Sequence, residues 1–278
     1  MNPTRELKAP HEDQIEACVQ QGDCLDRLAR IKDHSVDLVY LDPPFNTGRT
    51  QATTEASYED QWPDLNAYLE FMNPRLEAIV RVLDDRGILL LHCDWRTCHH
   101  FRHRLDSLMG PENFVNHLIW MYGLGGSSPR RFARKHDDIL FYAKGRDYFF
   151  EPPMVPATSN RMKGQMKKAT DVIDIPAIDV IDVPAINNMA QERVGYPTQK
   201  PLALLEMLVG ACCPVEGLVL DPFCGSGTTL VAAHRLNRRF LGIDRNEQAV
   251  RLARRRLKET AVSTNRDSRK RRSVRSSS

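Results

Sequence analysis

Short apolar runs recur along the chain, and most end in an acid. "VDLVYL" (36–41) leads to Asp42, "ILLLHC" (88–93) to Asp94, "LVL" (218–220) to Asp221 and "FLGI" (240–243) to Asp244. Ile15, Ala17 and Val19 alternate before Gly22-Asp23, and "HLIWMY" (117–122) and "DILFYAK" (138–144) add two further runs. Continuous apolar character suits strands covered on both faces. Between the runs the spacing is helical. Tyr68, Leu69, Met72, Leu76, Ile79, Val80 and Leu83 recur at one, three and four, with a kink or fresh start expected at Pro74. Pro201 suits the first turn of a helix through "LALLEMLVGAC", and Ala249, Val250, Ala253 and Leu257 give a last helix its apolar stripe. Strand–helix alternation predicts an α/β fold with a doubly wound, mostly parallel sheet.

One region breaks the alternation. Residues 151–192 hold Pro152, Pro153, Pro156, Pro176 and Pro184, a basic run "RMKGQMKK" and a tandem echo, "DVIDIPAI" then "DVIDVPAI". Two copies of eight residues are too few for a solenoid, so an insertion on the α/β core is expected. Composition adds bounds. The 278 residues are 41% hydrophobic and 27% charged, which is ordinary for a globular protein. No apolar run nears the roughly 20 residues of a membrane span, and the polar start does not read as a signal peptide. Seven cysteines, mostly within apolar segments, are expected to be reduced thiols of a cytosolic protein. The net charge of +3 is uneven: residues 258–278 carry +5 and the rest −2. That Ser/Arg-rich tail is expected to be disordered.

Ligands of open α/β sheets bind outside the carboxyl ends of the strands, where these acids fall. Any one of them could instead cap a helix, and Asp94 is read that way. The other four, Asp23, Asp42, Asp221 and Asp244, have more specific surroundings. In "LDPFCGSGTT" (220–229), Gly225 and Gly227 open a helix after a buried strand and an acid, as in a nucleotide loop. Neither the P-loop lysine nor a third Rossmann glycine is present. Asp244 ends the next strand, where such folds place an acid on a ribose diol. In "YLDPPFNTG" (40–48), Pro43-Pro44 can continue neither helix nor ladder, so a stiff loop must hold Asp42 and Phe45 in place.

With "DPPF" and "DPFCGSGTT" both present, the chain resembles the S-adenosylmethionine-dependent amino-group DNA methyltransferases, which modify adenine N6 or cytosine N4. "GDCLDRLARIKDHSVDLVYLDPPF" (22–45), "RKHDDILFYAKG" (134–145) and "ERVGYPTQKPLALLEMLV" (192–209) are similar to further segments of that family. The order, catalytic motif first and cofactor loop last, is that of its permuted β subgroup. The resemblance covers roughly residues 15–257 and implies a seven-stranded Rossmann-like sheet with one antiparallel strand. It divides the chain into a catalytic half (1–145), an inserted candidate target-recognition region (146–192), a cofactor-binding half of the same domain (193–257) and the basic tail (258–278).

An exocyclic amino group is a poor nucleophile because its lone pair is delocalised into the ring. By the resemblance, Asp42 and the Pro43 carbonyl accept its two N–H bonds, Pro44 stiffens the turn and Phe45 stacks on the base. The target lies inside a duplex, so base flipping is implied. Asp23, Cys24, Asp221, Phe223, Gly225, Gly227, Thr228 and Asp244 are implied around S-adenosylmethionine, with Thr198, Gln199, Lys200 and Pro201 at its methionine end. Arg130, Arg131, Arg134 and Lys135, interleaved with Phe132, are candidates for phosphate contact, as are Lys163 and Lys167. Double-stranded DNA is the implied partner. A homodimer and a cognate restriction endonuclease are further partners in such families, in a bacterial or phage-type cytoplasm at the nucleoid. Asp at the head of the motif favours adenine; cytosine N4 is the runner-up. "HCDWRTCHHFRH" (92–103) suggests zinc but lacks a metal-site spacing, so no metal is expected, and its histidines are read as helix-surface groups and its thiols as packed.

Overall fold

The computed structural model describes residues 18–52, 57–121, 128–157, 161, 163–175 and 199–275. Thr198 and the second copy of the echo lie outside them.

The sheet is built from β1 (Val19–Gln21), β2 (Val36–Leu41), β5 (Leu83–Cys93), β6 (Phe114–Met121), β7 (His136–Ala143), β10 (Val172–Asp174), β11 (Leu218–Asp221) and β12 (Arg239–Asp244). Their order is β1-β12-β11-β2-β5-β7-β6-β10. Among the described residues only β7 runs against its neighbours; the other pairings of this sheet are parallel. Along β2 and β5 the side chains alternate between two cores. Leu38, Tyr40, Ile88 and Leu90 face α4 (Leu202–Cys212) and α5 (Thr228–Arg235); Val39, Leu41, Leu89 and Leu91 face α2 (Leu65–Val82) and α3 (Cys98–Met109). Burial on both faces explains why these strands read as unbroken apolar runs. A short α1 (Cys24–Leu28) and a long α6 (Glu247–Arg275) complete the layers, with hairpins β3 (Arg49–Ala52)–β4 (Ser57–Asp60) and β8 (Met154–Pro156)–β9 (Met166–Lys168) outside the main sheet.

The seven expected strands are all present, and the insertion adds an eighth among the described residues: Val172–Asp174 of the first echo copy pairs in parallel with β6. Ile173 is buried there, and the Trp120 indole donates to the Ile175 carbonyl at 2.8 Å. Of the two outcomes expected at Pro74, the fresh start does not occur: α2 passes through it as one helix, with Tyr68, Met72, Leu76 and Ile79 burying one continuous stripe on both sides. That packing offsets a proline cost of about 3 kcal/mol. Asp94 is not the N-cap of α3. It closes the turn before it, accepting from Arg96 N and Nη1 at 2.9 and 2.6 Å, while Thr97 holds the cap position. The tail is not irregular: α6 continues in one helix to Arg275. No Gly or Pro interrupts the sequence beyond Gly242, and buried Leu257 and Ala261 extend the packed stripe into it.

Candidate active site

From β11 the chain crosses to β12 on one side; from β2 it crosses to β5 on the other. The sheet therefore reverses its winding between β11 and β2, and a crevice opens outside their carboxyl ends. Asp42 and Asp221 stand at its two lips. Burial first, then the like charge of Asp42, pushes the Asp221 carboxyl up to about 7.

The Asp42 carboxylate is held by Lys200, whose Nζ donates to its two oxygens at 3.0 and 2.8 Å. The same ammonium lies 5.1 Å from the centre of the Phe45 ring. Lys200, expected at the methionine end of the cofactor, thus stands on Asp42 of the DPPF loop. Two residues missed in the sequence stiffen that loop. The Tyr68 hydroxyl donates to the Pro44 carbonyl at 2.6 Å. Buried Asp60 accepts from Asn46 N at 2.7 Å and from Thr47 N and Oγ1 at 3.3 and 2.5 Å. That clasp holds Asn46 at φ 54° and lets the chain turn directly after Phe45.

Behind Phe45 lies a buried polar chain. The His92 ring sits 5.7 Å from Phe45 and 5.6 Å from Trp120. Its Nδ1 meets the Tyr40 hydroxyl at 2.7 Å and its Nε2 the Asp137 carboxylate at 3.2 Å. A carboxylate can only accept, so Nε2 carries the proton and Tyr40 donates to Nδ1. Burial keeps the tyrosine protonated by raising its pKa far above the usual value. His92 is therefore a strand residue of the core, not a helix-surface histidine. The surface reading holds for His99, His100 and His103 on α3.

Across the crevice the glycine loop is tied at several points. Gly225 N donates to Asp244 Oδ2 at 2.8 Å, and Asn246 N to Oδ1 at 2.8 Å. Burial raises the Asp244 pKa against these bonds. Asp221 accepts from Phe223 N at 3.1 Å and is hydrogen-bonded by Thr229. Gly227, at φ 79°, is explained by packing: a Cβ there would come within 2.7 Å of the Ala253 Cβ of α6. Thr228 is held by buried Arg256, which also donates to the Ser226 carbonyl and hydroxyl at 2.8 and 3.1 Å. Asp23 caps α1 through Leu25 N at 2.8 Å, and its second oxygen takes Arg75 at 2.6 Å. Beside that pair, Cys24 is buried, while Pro201 is buried at the start of α4. Arg75 and Arg256 were not legible as loop anchors, since each acts across a long sequence separation.

Arg130, Arg131 and Arg134 are exposed between β6 and β7, Lys135 is half-buried, and Phe132 is 97% exposed. Arg134 stacks on the Trp95 ring at 3.3 Å. Lys163 is exposed in the turn of the β8–β9 hairpin and Lys167 lies on β9.

A family model for N6/N4 methyltransferases, described as DNA methylase, matches residues 36–255. The chain belongs to this family. It is 30% identical over 235 residues to the type II methyltransferase HpaI of Haemophilus parainfluenzae, covering 83% of this chain and 70% of that one. It is 28% identical to EcaI of Enterobacter cloacae, covering 79% and 64%, and 25% identical to ScaI of Streptomyces caespitosus, covering 92% and 86%. Among solved folds, TTHA0409 of Thermus thermophilus aligns with a TM-score of 0.61 at 24% identity, over 87% of this chain and 95% of that one. The cytosine-N4-specific PvuII methyltransferase aligns at 0.60 and 16% identity, over 87% and 90%. As an N6/N4 methylase the chain is a DNA methyltransferase whose cofactor is S-adenosylmethionine. The two halves of the family's motif set, far apart in sequence, meet at one crevice.

Proposed function

We propose that this methylase transfers the methyl group of S-adenosylmethionine to N6 of an adenine flipped out of double-stranded DNA. The observation that carries the reading is the Asp42-led DPPF loop, rigidly mounted at the switch point and facing the glycine loop across the crevice. Asp42 accepts one N–H of the amino group and the Pro43 carbonyl the other, turning the nitrogen lone pair toward the sulfonium methyl. The N–C bond forms as the S–C bond breaks, S-adenosylhomocysteine leaves, and the proton is lost from the now cationic nitrogen to solvent. Each carboxylate oxygen has two lone pairs, so Asp42 can accept from the base while paired with Lys200. Alignment of donor and acceptor supplies about 7–11 kcal/mol in well-oriented cases. Phe45, backed by His92, stacks on the base.

Asp221, Phe223 and Gly225 would hold the cofactor, with Asp244 taking its ribose hydroxyls. Arg256 and Arg75 hold the surrounding loops in shape. The exposed basic segment 130–135 takes phosphates, with Lys163 and Lys167 beside the duplex. Asp rather than Ser heads the motif, which favours adenine over cytosine. Incubating the protein with DNA and methyl-labelled S-adenosylmethionine, then digesting to nucleosides, tests this. Label in N6-methyladenosine is expected; label in N4-methylcytidine would replace the reading with its runner-up.

A further inference from the structure

Away from the crevice, on the α3 side of the sheet, donor groups from four elements converge. Cys93 ends β5 and pairs across the antiparallel ladder with Asp138 of β7, so the two side chains leave the same face. Asp138 pairs with Ile119 on its other side, which places His117 diagonally on that face. Cys98, the first residue of α3, closes over the group. The His117 Nε2 lies 2.7 Å from Asp138 Oδ1 and 3.7 Å from Cys98 Sγ. These three ligand atoms all fall within 4.8 Å of one another, and the Cys93 thiol is hydrogen-bonded to Cys98. Asp138 and Cys93 are buried, whereas Cys98 is partly open and His117 exposed, so the cluster can be reached from solvent.

We propose that Cys98, His117 and Asp138 bind one divalent cation of the zinc class, with the fourth tetrahedral position left to water. Atoms about 2.0–2.3 Å from such an ion stand about 3.3–3.7 Å apart at tetrahedral angles. The sulfur–nitrogen separation already fits, and the nitrogen–oxygen one needs to open by about half an ångström. Thiolate and imidazole donors select this class over magnesium or calcium, whose sites are built from oxygen. The ligands straddle α3, β6 and β7, so the ion would staple α3 to the β6–β7 pair. That pair carries the basic segment at one end and, through Asp137, the support of His92. The segment "HCDWRTCHHFRH" therefore supplies one ligand, Cys98, while the other two come from β6 and β7, which is why no local spacing announces a site.

Cobalt(II) reports on the proposal by colour. The full chain, stripped with a chelator and desalted, is titrated with cobalt chloride and then with zinc chloride. Expected are one equivalent of cobalt, a near-ultraviolet thiolate charge-transfer band, strong visible bands of tetrahedral geometry, and loss of all of them on adding one equivalent of zinc. Cys98→Ser, His117→Ala and the isosteric Asp138→Asn should each weaken cobalt binding at least about tenfold. His99→Ala, on the same helix, should leave it unchanged. Zinc should raise the melting temperature of the native chain but not of Cys98→Ser. No thiolate band in the native chain, or an unchanged spectrum in Cys98→Ser, would overturn the assignment.

Discussion

At the scale of single residues, the pairing of Asp42 with Lys200 separates two roles that the motif alone merges. Asp42 accepts from the amino group, and Lys200 keeps its carboxylate turned into the crevice. Asp42→Ala should lower kcat about 10²–10³-fold, in the range seen when one positioned hydrogen bond to a transition state is removed. Its cofactor affinity, measured by equilibrium dialysis, should stay within about twofold, because both its assigned contacts are to the base and Lys200. Lys200→Met should cost less, about tenfold in kcat, since the acceptor remains but loses its partner. Tyr40→Phe leaves the buried Nδ1 of His92 without its donor. A loss of about 1–3 kcal/mol in denaturant unfolding is expected.

Asp221 gives a pH dependence whose sign is fixed. Its carboxyl is pushed up to about 7 in the fold, against 3.8 as the reference value. Between those values the folded state binds more protons than the unfolded one. Its contribution is therefore fully present below about 4 and lost as pH rises through about 7. The full swing is on the order of 4 kcal/mol. The free protein should melt at a lower temperature at pH 8 than at pH 6 on account of this group, and Asp221→Asn should flatten the difference. A cationic cofactor favours the ionised form, so S-adenosylmethionine should bind more tightly at pH 8 than at pH 6, a trend isothermal titration can measure.

At the scale of elements, the glycine loop and its helix depend on close approach. Gly227→Ala would force a Cβ into Ala253 and occupy a left-handed conformation. Overpacking and backbone strain together predict about 2–4 kcal/mol of destabilisation, with a lower thermal midpoint. Gly227 was legible as a glycine that the loop needs, but not as a helix-packing position, because Ala253 lies in a later element. The same limit recurs elsewhere. Strands β2, β5, β11 and β12 were legible because burial on both faces leaves a local apolar signature. Strand β10 was not: its three residues become a strand only by pairing with β6, a tertiary event. Pro74 starts no new helix because local propensity is outweighed by the stripe it interrupts.

At the scale of the molecule, the candidate site was legible as two motifs and their order, whereas its supports were not. Asp60, Tyr68, Arg75, His92 and Arg256 act across long sequence separations that carry no spacing signal. The charge distribution leads to a further measurement. Replacing Arg130, Arg131 and Lys135 together with Ala should weaken DNA binding similarly across sequences. It should also reduce the slope of log K against log salt by about one for each phosphate no longer neutralised.

Arg256 fastens the glycine loop from the last helix, and Val19 of β1 pairs beside Gly242 of β12. On the ribosome, the DPPF loop emerges long before either closure is available. A nascent chain carrying its catalytic motif but not yet α6 would have an open sheet edge and an unfastened cofactor loop. Catalytic competence would then arrive late and all at once, with the cofactor loop fastened only after α6 is made.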